Sequence, residues 1–177
     1  MYKSATEFIQ RFVKPATIYR YGFNWSPMYR RTTAKIIEVS DDLHKVVIQL
    51  KPSWKNKNYV GSIFGGSMLA ATDPIYMIQL IQILGNDYVV WDKSVEARYR
   101  KPARRKIFGE FVFTSEEISK LKNDVEEHGE IDLIKTMDLV DEKQNKIATF
   151  KKTLYVAKKS FYKQKQKQRQ ANTNTQE

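Results

Sequence analysis

The stretch Asn58-Tyr-Val-Gly-Ser-Ile-Phe64-Gly65-Gly66-Ser-Met-Leu-Ala-Ala-Thr-Asp73-Pro74 opens a helix on two glycines and sets a lone carboxylate about two turns inside it. Adjacent glycines let the backbone turn closely. They leave unpaired N–H groups in the first helical turn, where the positive end of the helix dipole favours an anion or a developing oxyanion. The helix predicted from Ser67 to Leu84 carries apolar residues on every side, from Met68 and Leu69 through Ile75, Met77 and Leu80 to Leu84. Such a helix is buried. A membrane span is the competing account, and Asp73, Pro74, Gln79 and Gln82 argue against it. Pro74 cannot donate to the carbonyl of Ala70 and disfavours helical geometry at Asp73, so a kink is expected at the carboxylate.

Outward from this helix the pattern changes from helical to alternating. Ala34 to Ser40 and His44 to Pro52 read as two strands joined through Asp41-Asp42-Leu43. Val89 to Arg100 reads as a strand with Trp91, Val95, Ala97 and Tyr99 on one face and Asp92, Ser94, Glu96, Arg98 and Arg100 on the other. Lys106 to Thr114, Ile131 to Val140 and Ile147 to Val156 complete the set, the last two joined around Asp141 to Lys146. The fold class is therefore α+β: one long central helix wrapped by a curled antiparallel sheet of five or six strands. Two capping boxes, Ser4-Ala-Thr-Glu7 and Thr114-Ser-Glu-Glu117, predict further helices that stop at Pro15 and Gly129. Between Ile18 and Tyr29 the aromatic residues Tyr19, Tyr21, Phe23, Trp25 and Tyr29 lack a clear period and are expected to cover an open side of the sheet or line a tunnel, with membrane contact as the alternative.

The spacing of Asn58, Phe64-Gly65-Gly66 and Asp73 resembles the motif of hotdog-fold acyl-CoA thioesterases of the phenylacetic-acid-pathway type. The wider run is similar to an uncharacterised bacterial family of thioesterase-like hotdog proteins. The residues carrying it are Trp54-Lys-Asn-Lys-Asn-Tyr-Val-Gly61, Phe64-Gly-Gly, Ala71-Thr-Asp-Pro74, Asp87-Tyr-Val-Val-Trp-Asp-Lys93 and the strand end Arg98-Tyr-Arg-Lys-Pro102. The resemblance runs from about Trp25 to Val156. It implies a hotdog domain over 33–157, preceded by an N-terminal helix and aromatic cover over 1–32 and followed by a basic tail over 158–177. It also implies thioester hydrolysis, with a fatty or aromatic acyl-CoA as substrate, Asp73 as general base or nucleophile, the Gly65 N–H as oxyanion donor and Asn58 orienting water or the carbonyl. Phe64 and Gly66 would line the substrate site. A non-catalytic acyl-CoA or acyl-chain binding protein is the alternative.

The chain departs from that pattern at Phe64, where related thioesterases often carry His. Counting back from Pro102 aligns Asp92 with a second site position, supplied by the opposing subunit, where Ser or Thr is usual. A carboxylate there either shares a proton with Asp73 or pairs with Lys93 or Arg98, and the ion pair is the expectation. Desolvation in an apolar groove is expected to raise the basicity of Asp73.

Composition bounds the rest. The 177 residues are 41% hydrophobic, enough for one core and one domain. Without cysteine there are no disulfides, thiolate metal sites or cysteine nucleophiles. His44 and His128 are the only histidines and stand in no metal-ligand spacing, so the expected cofactor is none beyond the coenzyme A moiety of the substrate. Lys3, Glu7, Gln10, Arg11 and Lys14 break every apolar run near the N-terminus, making cytoplasm the expected location. Of the net charge of +11, the six cations from Lys158 to Arg169 belong to a low-complexity tail expected to be disordered or a frayed helix. A second cluster, Arg98, Arg100, Lys101, Arg104, Arg105 and Lys106, is a candidate grip for coenzyme A phosphates, with Arg98, Arg104 and Arg105 its core. Nucleic acid and membrane surfaces are lesser expectations as partners. Strand Val89 to Arg100 lies at a sheet edge, so a homodimer or dimer of dimers is expected.

Overall fold

The computed structural model describes residues 14–174. Helices α1 (Pro15–Trp25) and α2 (Pro27–Arg31) lead into β1 (Ala34–Val39) and β2 (Lys45–Leu50), and the long helix α3 (Gly65–Leu84) follows. Then come β3 (Tyr88–Tyr99), β4 (Ile107–Val112), α4 (Ser115–His128), β5 (Glu130–Asp141), β6 (Lys146–Lys158) and α5 (Lys159–Asn174). The six strands form one antiparallel sheet in the order β1-β2-β4-β5-β6-β3. The sheet curls around α3, whose Met68, Ala71, Ile75, Tyr76, Leu80 and Leu84 meet Ile48, Phe111, Phe150, Leu154 and Val156 in one core. This is the hotdog fold that the sequence predicts.

Helix α3 runs unbroken through Pro74. Side chains from outside brace it there: Tyr29 Oη donates to the Ala71 carbonyl at 3.2 Å and Tyr19 Oη to the Ile75 carbonyl at 3.0 Å. Burial pushes both phenols well above their ordinary titration range, so they stay donors. The buried Gln79 ties the far half of the helix to the β1–β2 turn through the Leu43 carbonyl at 2.7 Å. By length and composition α3 could cross a membrane, but half of that span is buried inside the protein.

The aromatic segment before β1 is a helix, which corrects the expectation of an aperiodic cover. Ala16, Tyr19 and Phe23 are its buried positions, spaced at three and four residues, and Pro15 begins it at the first-turn position where a missing N–H is harmless. The Ser4 capping box and the apolar residues Phe8, Ile9, Phe12 and Val13 lie outside the described residues. The Thr114 capping box is present in full, with Glu117 N–H donating to Thr114 Oγ1 at 3.1 Å and Glu117 Oε2 accepting from the Thr114 N–H at 2.9 Å. Gly129, at φ 77°, ends α4 as expected.

The basic tail folds back as α5. Phe161 covers Gly129, where a Cβ would collide with its ring. Lys165 meets Glu130 Oε2 at 2.6 Å, and Tyr162 lies against Tyr155.

Candidate active site

At the start of α3, Phe64 adopts an extended backbone (φ −61°, ψ 133°), with its N–H on the Asn56 carbonyl at 2.8 Å. The N–H groups of Gly65 and Gly66 then point out of the first turn without an acceptor among the described residues. Both glycines answer close approaches. The Phe64 ring occupies the space that a Cβ on Gly66 would need, and the Tyr99 ring comes within 3.0 Å of a Cβ built on Gly65. Tyr99 Oη also donates to the Gly65 carbonyl at 3.0 Å, fastening the helix start to β3. Asn58 is occupied differently from the expectation: its Oδ1 accepts from the N–H and the hydroxyl of Ser62, at 3.1 and 3.2 Å, and so closes its own loop.

Asp73 lies on the one stripe of α3 that the sheet leaves uncovered, with Gly66, Ala70 and Met77 on the same face. Its side chain is 54% exposed, and Lys152 Nζ stands 3.2 Å from its Oδ1. This corrects the picture of a desolvated carboxylate: Asp73 reaches water on one side and an ammonium on the other. Lys152 also donates to the main-chain carbonyl of Asp73. The lysine itself is buried, at 1% exposure.

The same ammonium lies 2.8 Å from Asp92 Oδ1, in a contact angled away from hydrogen-bond geometry. Asp92 therefore faces inward, against the alternation expected for it, because a β-bulge between Asp92 and Ser94 shifts the register against β6. Asp92 pairs with the buried Leu154, Val95 with Lys152 and Ala97 with Phe150, while Trp91 pairs with Tyr155 on the outer face. The ion-pair partner of Asp92 is thus Lys152, and Lys93 pairs with Asp132 on the outer side at 2.5 Å. Burial raises the Asp92 carboxyl above the ordinary carboxylate value; Lys152 pulls it back down and the charge of Asp73 adds to the rise.

The sequence reading did not single out Lys152, although the signal was present. Phe150, Lys152, Leu154 and Val156 occupy one face of β6, so a lysine stands at a core position of an apolar alternation. A buried lysine requires partners, and two predicted site carboxylates supply them.

An open groove of about 790 Å³ runs along the uncovered stripe, bounded by Arg31, Phe64, Gly66, Asp73, Met77 and Val95. Of the three expected phosphate-binding arginines, Arg98 lies on the outer face of β3 opposite Thr149, Arg104 lies beside Gly61, and Arg105 stands near Glu142. All three are exposed and none lines the groove.

A long helix wrapped by one curled antiparallel sheet defines a hotdog-fold protein. Within that class the chain belongs to the family described as a domain of unknown function, DUF4442, whose model matches residues 18–156. No curated protein matches its sequence. Among solved structures, it superimposes on a Pseudomonas aeruginosa protein of unknown function described as a probable thioesterase (TM-score 0.72, 18% identity, 81% of this chain and 96% of that one). A Haemophilus influenzae thioesterase is also similar (TM-score 0.58, 12% identity, 82% of this chain and 92% of that one). So is a Chlorobaculum tepidum protein of unknown function (TM-score 0.65, 13% identity, 81% of this chain and 94% of that one). At these identities the likeness carries the fold.

Proposed function

We propose that this protein hydrolyses the thioester of an acyl-CoA, with Asp73 as general base or nucleophile and the free N–H at the start of α3 as oxyanion donor. The observation that carries this reading is the placement of Asp73 in an open groove with its carboxylate fixed by a buried ammonium. Thioester cleavage needs a base or nucleophile and a donor aimed at the carbonyl oxygen. The Asp73 carboxyl group is placed for the first need, and the unpaired N–H of Gly65 for the second.

These two groups are eight residues apart on one helix, about 12 Å along its axis. A single carbonyl sits within about 3 Å of its donor and its attacking group, so one copy cannot supply both. The reading therefore requires two copies arranged with their α3 helices antiparallel. The Gly65 N–H of one then approaches the Asp73 of the other. The edge strand β3 offers the surface for this pairing, since its residues 93–99 are exposed on both faces.

Phe64 favours the second reading, a binding protein that retains the groove without turnover. Its ring is 57% exposed at the helix start, where related thioesterases often carry His. A panel of short, long and aromatic acyl-CoAs, assayed for hydrolysis and for thermal stabilisation, separates the two readings, because a bound ligand raises the melting temperature whether or not it is consumed. Asp73→Asn is expected to lower turnover about a hundredfold or more, the scale for losing a general base, with much smaller change in affinity. A well-folded Asp73→Asn protein that hydrolyses at the parental rate removes Asp73 from the mechanism.

A further inference from the structure

Next to the groove lies a recess of about 430 Å³ walled by Pro27, Arg30, Arg31, Thr33 and Lys55. Arg30 and Arg31 form the last turn of α2, and Lys55 reaches in from the loop that precedes α3. The three side chains are exposed and have no carboxylate partner among the described residues, whereas Lys93, Lys106, Lys135 and Lys158 each sit against one. Three like charges gathered around one hollow repel each other until an anion enters it.

The walls are built rather than incidental. Thr33 sits at φ 66°, a left-handed conformation rarely adopted by a β-branched residue. The buried Asn56 holds it there, donating from Nδ2 to Thr33 Oγ1 at 2.7 Å and to the Lys51 carbonyl at 2.9 Å, while its Oδ1 accepts from the Ser53 N–H at 2.7 Å. One side chain thereby locks the loop carrying Lys55 onto the corner that follows Arg30 and Arg31. Arg31 borders both the recess and the groove beside Asp73, so the two hollows adjoin across its side chain. Beside Lys55 stands Trp54, 87% exposed, with Lys55 Nζ 5.3 Å from its ring centroid.

We propose that this recess binds the phosphate groups at the nucleotide end of a coenzyme A ester, leaving its thioester arm to run past Arg31 into the groove. The assignment rests on the thioester reading for the identity of the ligand, and its chemistry is that of clustered phosphates: guanidinium and ammonium donors, a charged hollow, and an aromatic face for the base to stack on. It places the phosphate contacts on α2 and the Lys55 loop, away from Arg98 and Arg105.

Calorimetric titration of the full-length protein with free coenzyme A tests it without requiring turnover. The variant Arg30→Ala/Arg31→Ala/Lys55→Ala is expected to weaken binding about a hundredfold, the scale of losing several charge-assisted contacts. Arg98→Ala/Arg105→Ala should bind within about twofold of the parent, a change too small to signal a lost contact. For hydrolysis, Arg30→Ala/Lys55→Ala, which keeps the groove-lining Arg31, should raise KM for an acyl-CoA with kcat retained, and should cleave an acyl-pantetheine thioester, which lacks the nucleotide phosphates, at the parental rate. All three positions are exposed, and an unchanged melting curve checks that the variants fold.

Parental affinity for coenzyme A in the triple variant overturns the assignment, as does pantetheine binding as tightly as coenzyme A. Loss of binding to phosphatidylglycerol vesicles in the triple variant, with coenzyme A affinity unchanged, would give the cations to a membrane surface instead. A parent that binds coenzyme A through these residues but cleaves no thioester leaves the recess standing and removes the hydrolase reading.

Discussion

At the scale of single residues, the chemistry turns on one ammonium shared by two carboxylates. Lys152 is the only cation within ion-pair distance of Asp73 or Asp92 among the described residues. Asp92 has its carboxyl raised by burial, so the folded protein holds that proton more tightly than the unfolded chain does. Stability from this group is therefore greatest at low pH and falls as pH rises through the window above the ordinary carboxylate value. Replacing Lys152 by Met, of similar length and without charge, removes the cation that limits this loss and leaves two carboxylates facing each other. The expected cost at neutral pH is ~3 kcal/mol, the low end for breaking a buried pair because Asp73 reaches water. As pH falls back through that window Asp92 takes up a proton and the deficit shrinks. Melting curves of Lys152→Met and parent at pH 7 and pH 4 check this, and a deficit equal at both values would reduce Lys152 to packing. The sequence offered Asp73 as a site candidate through its spacing and Asp92 through alignment, but not the lysine that the two carboxylates share. Alternation also put Asp92 on the wrong face, because a bulge changes the phase of a strand without leaving a composition signal.

At the scale of elements, periodicity carried the strands and the core helix, since a buried face imposes its spacing on the sequence. It failed where polar residues dominate. The tail from Lys158 reads by composition as either disordered or a frayed helix, and the anchors that hold α5 near its start lie outside that reading: Phe161 on Gly129, Tyr162 against Tyr155, and Lys165 on Glu130. The Glu130 carboxyl is held below its usual value first by Lys165 and then by the Tyr155 hydroxyl. Deleting 172–177 spares these anchors and should leave the melting temperature nearly unchanged. Deleting 159–177 strips the half-buried Phe161 from its site and exposes the Tyr155 face, a loss of about 1–2 kcal/mol. That corresponds to a drop of roughly 3–6 °C for a chain of this size. Equal stability of the two truncations would show that α5 only rests on the sheet. The aromatic helix α1 was legible in principle from Ala16, Tyr19 and Phe23; reading Pro15 as a stop rather than a start concealed it.

At the scale of the whole molecule, two features of one copy remain unfinished. Strand β3 leaves residues 93–99 exposed, including Val95, Ala97 and Tyr99 on the face that continues the core, and α3 leaves its stripe through Asp73 open to solvent. Pairing two copies along β3 would complete both, and it would bring the helix start of one toward the Asp73 of the other. Complementation tests this arrangement directly. Asp73→Asn removes the carboxylate. Gly65→Pro removes the N–H, and proline suits the first helical position after the extended Phe64. The Tyr99 ring, 3.0 Å from a Cβ at that site, has to give by a few tenths of an ångström. Each variant alone should be nearly inactive. If each site draws Asp73 from one copy and the N–H from the other, a mixed dimer contains one site with both groups intact. Unfolding and refolding an equimolar mixture makes half the dimers mixed, with one intact site of two, so about a quarter of the parental activity should return. Sedimentation should show the dimer in the parent and a monomer in Ala97→Arg, which sets a charge on the pairing face. A refolded mixture no more active than its components, from variants that both sediment as dimers, would confine the site to a single chain and force a different oxyanion donor.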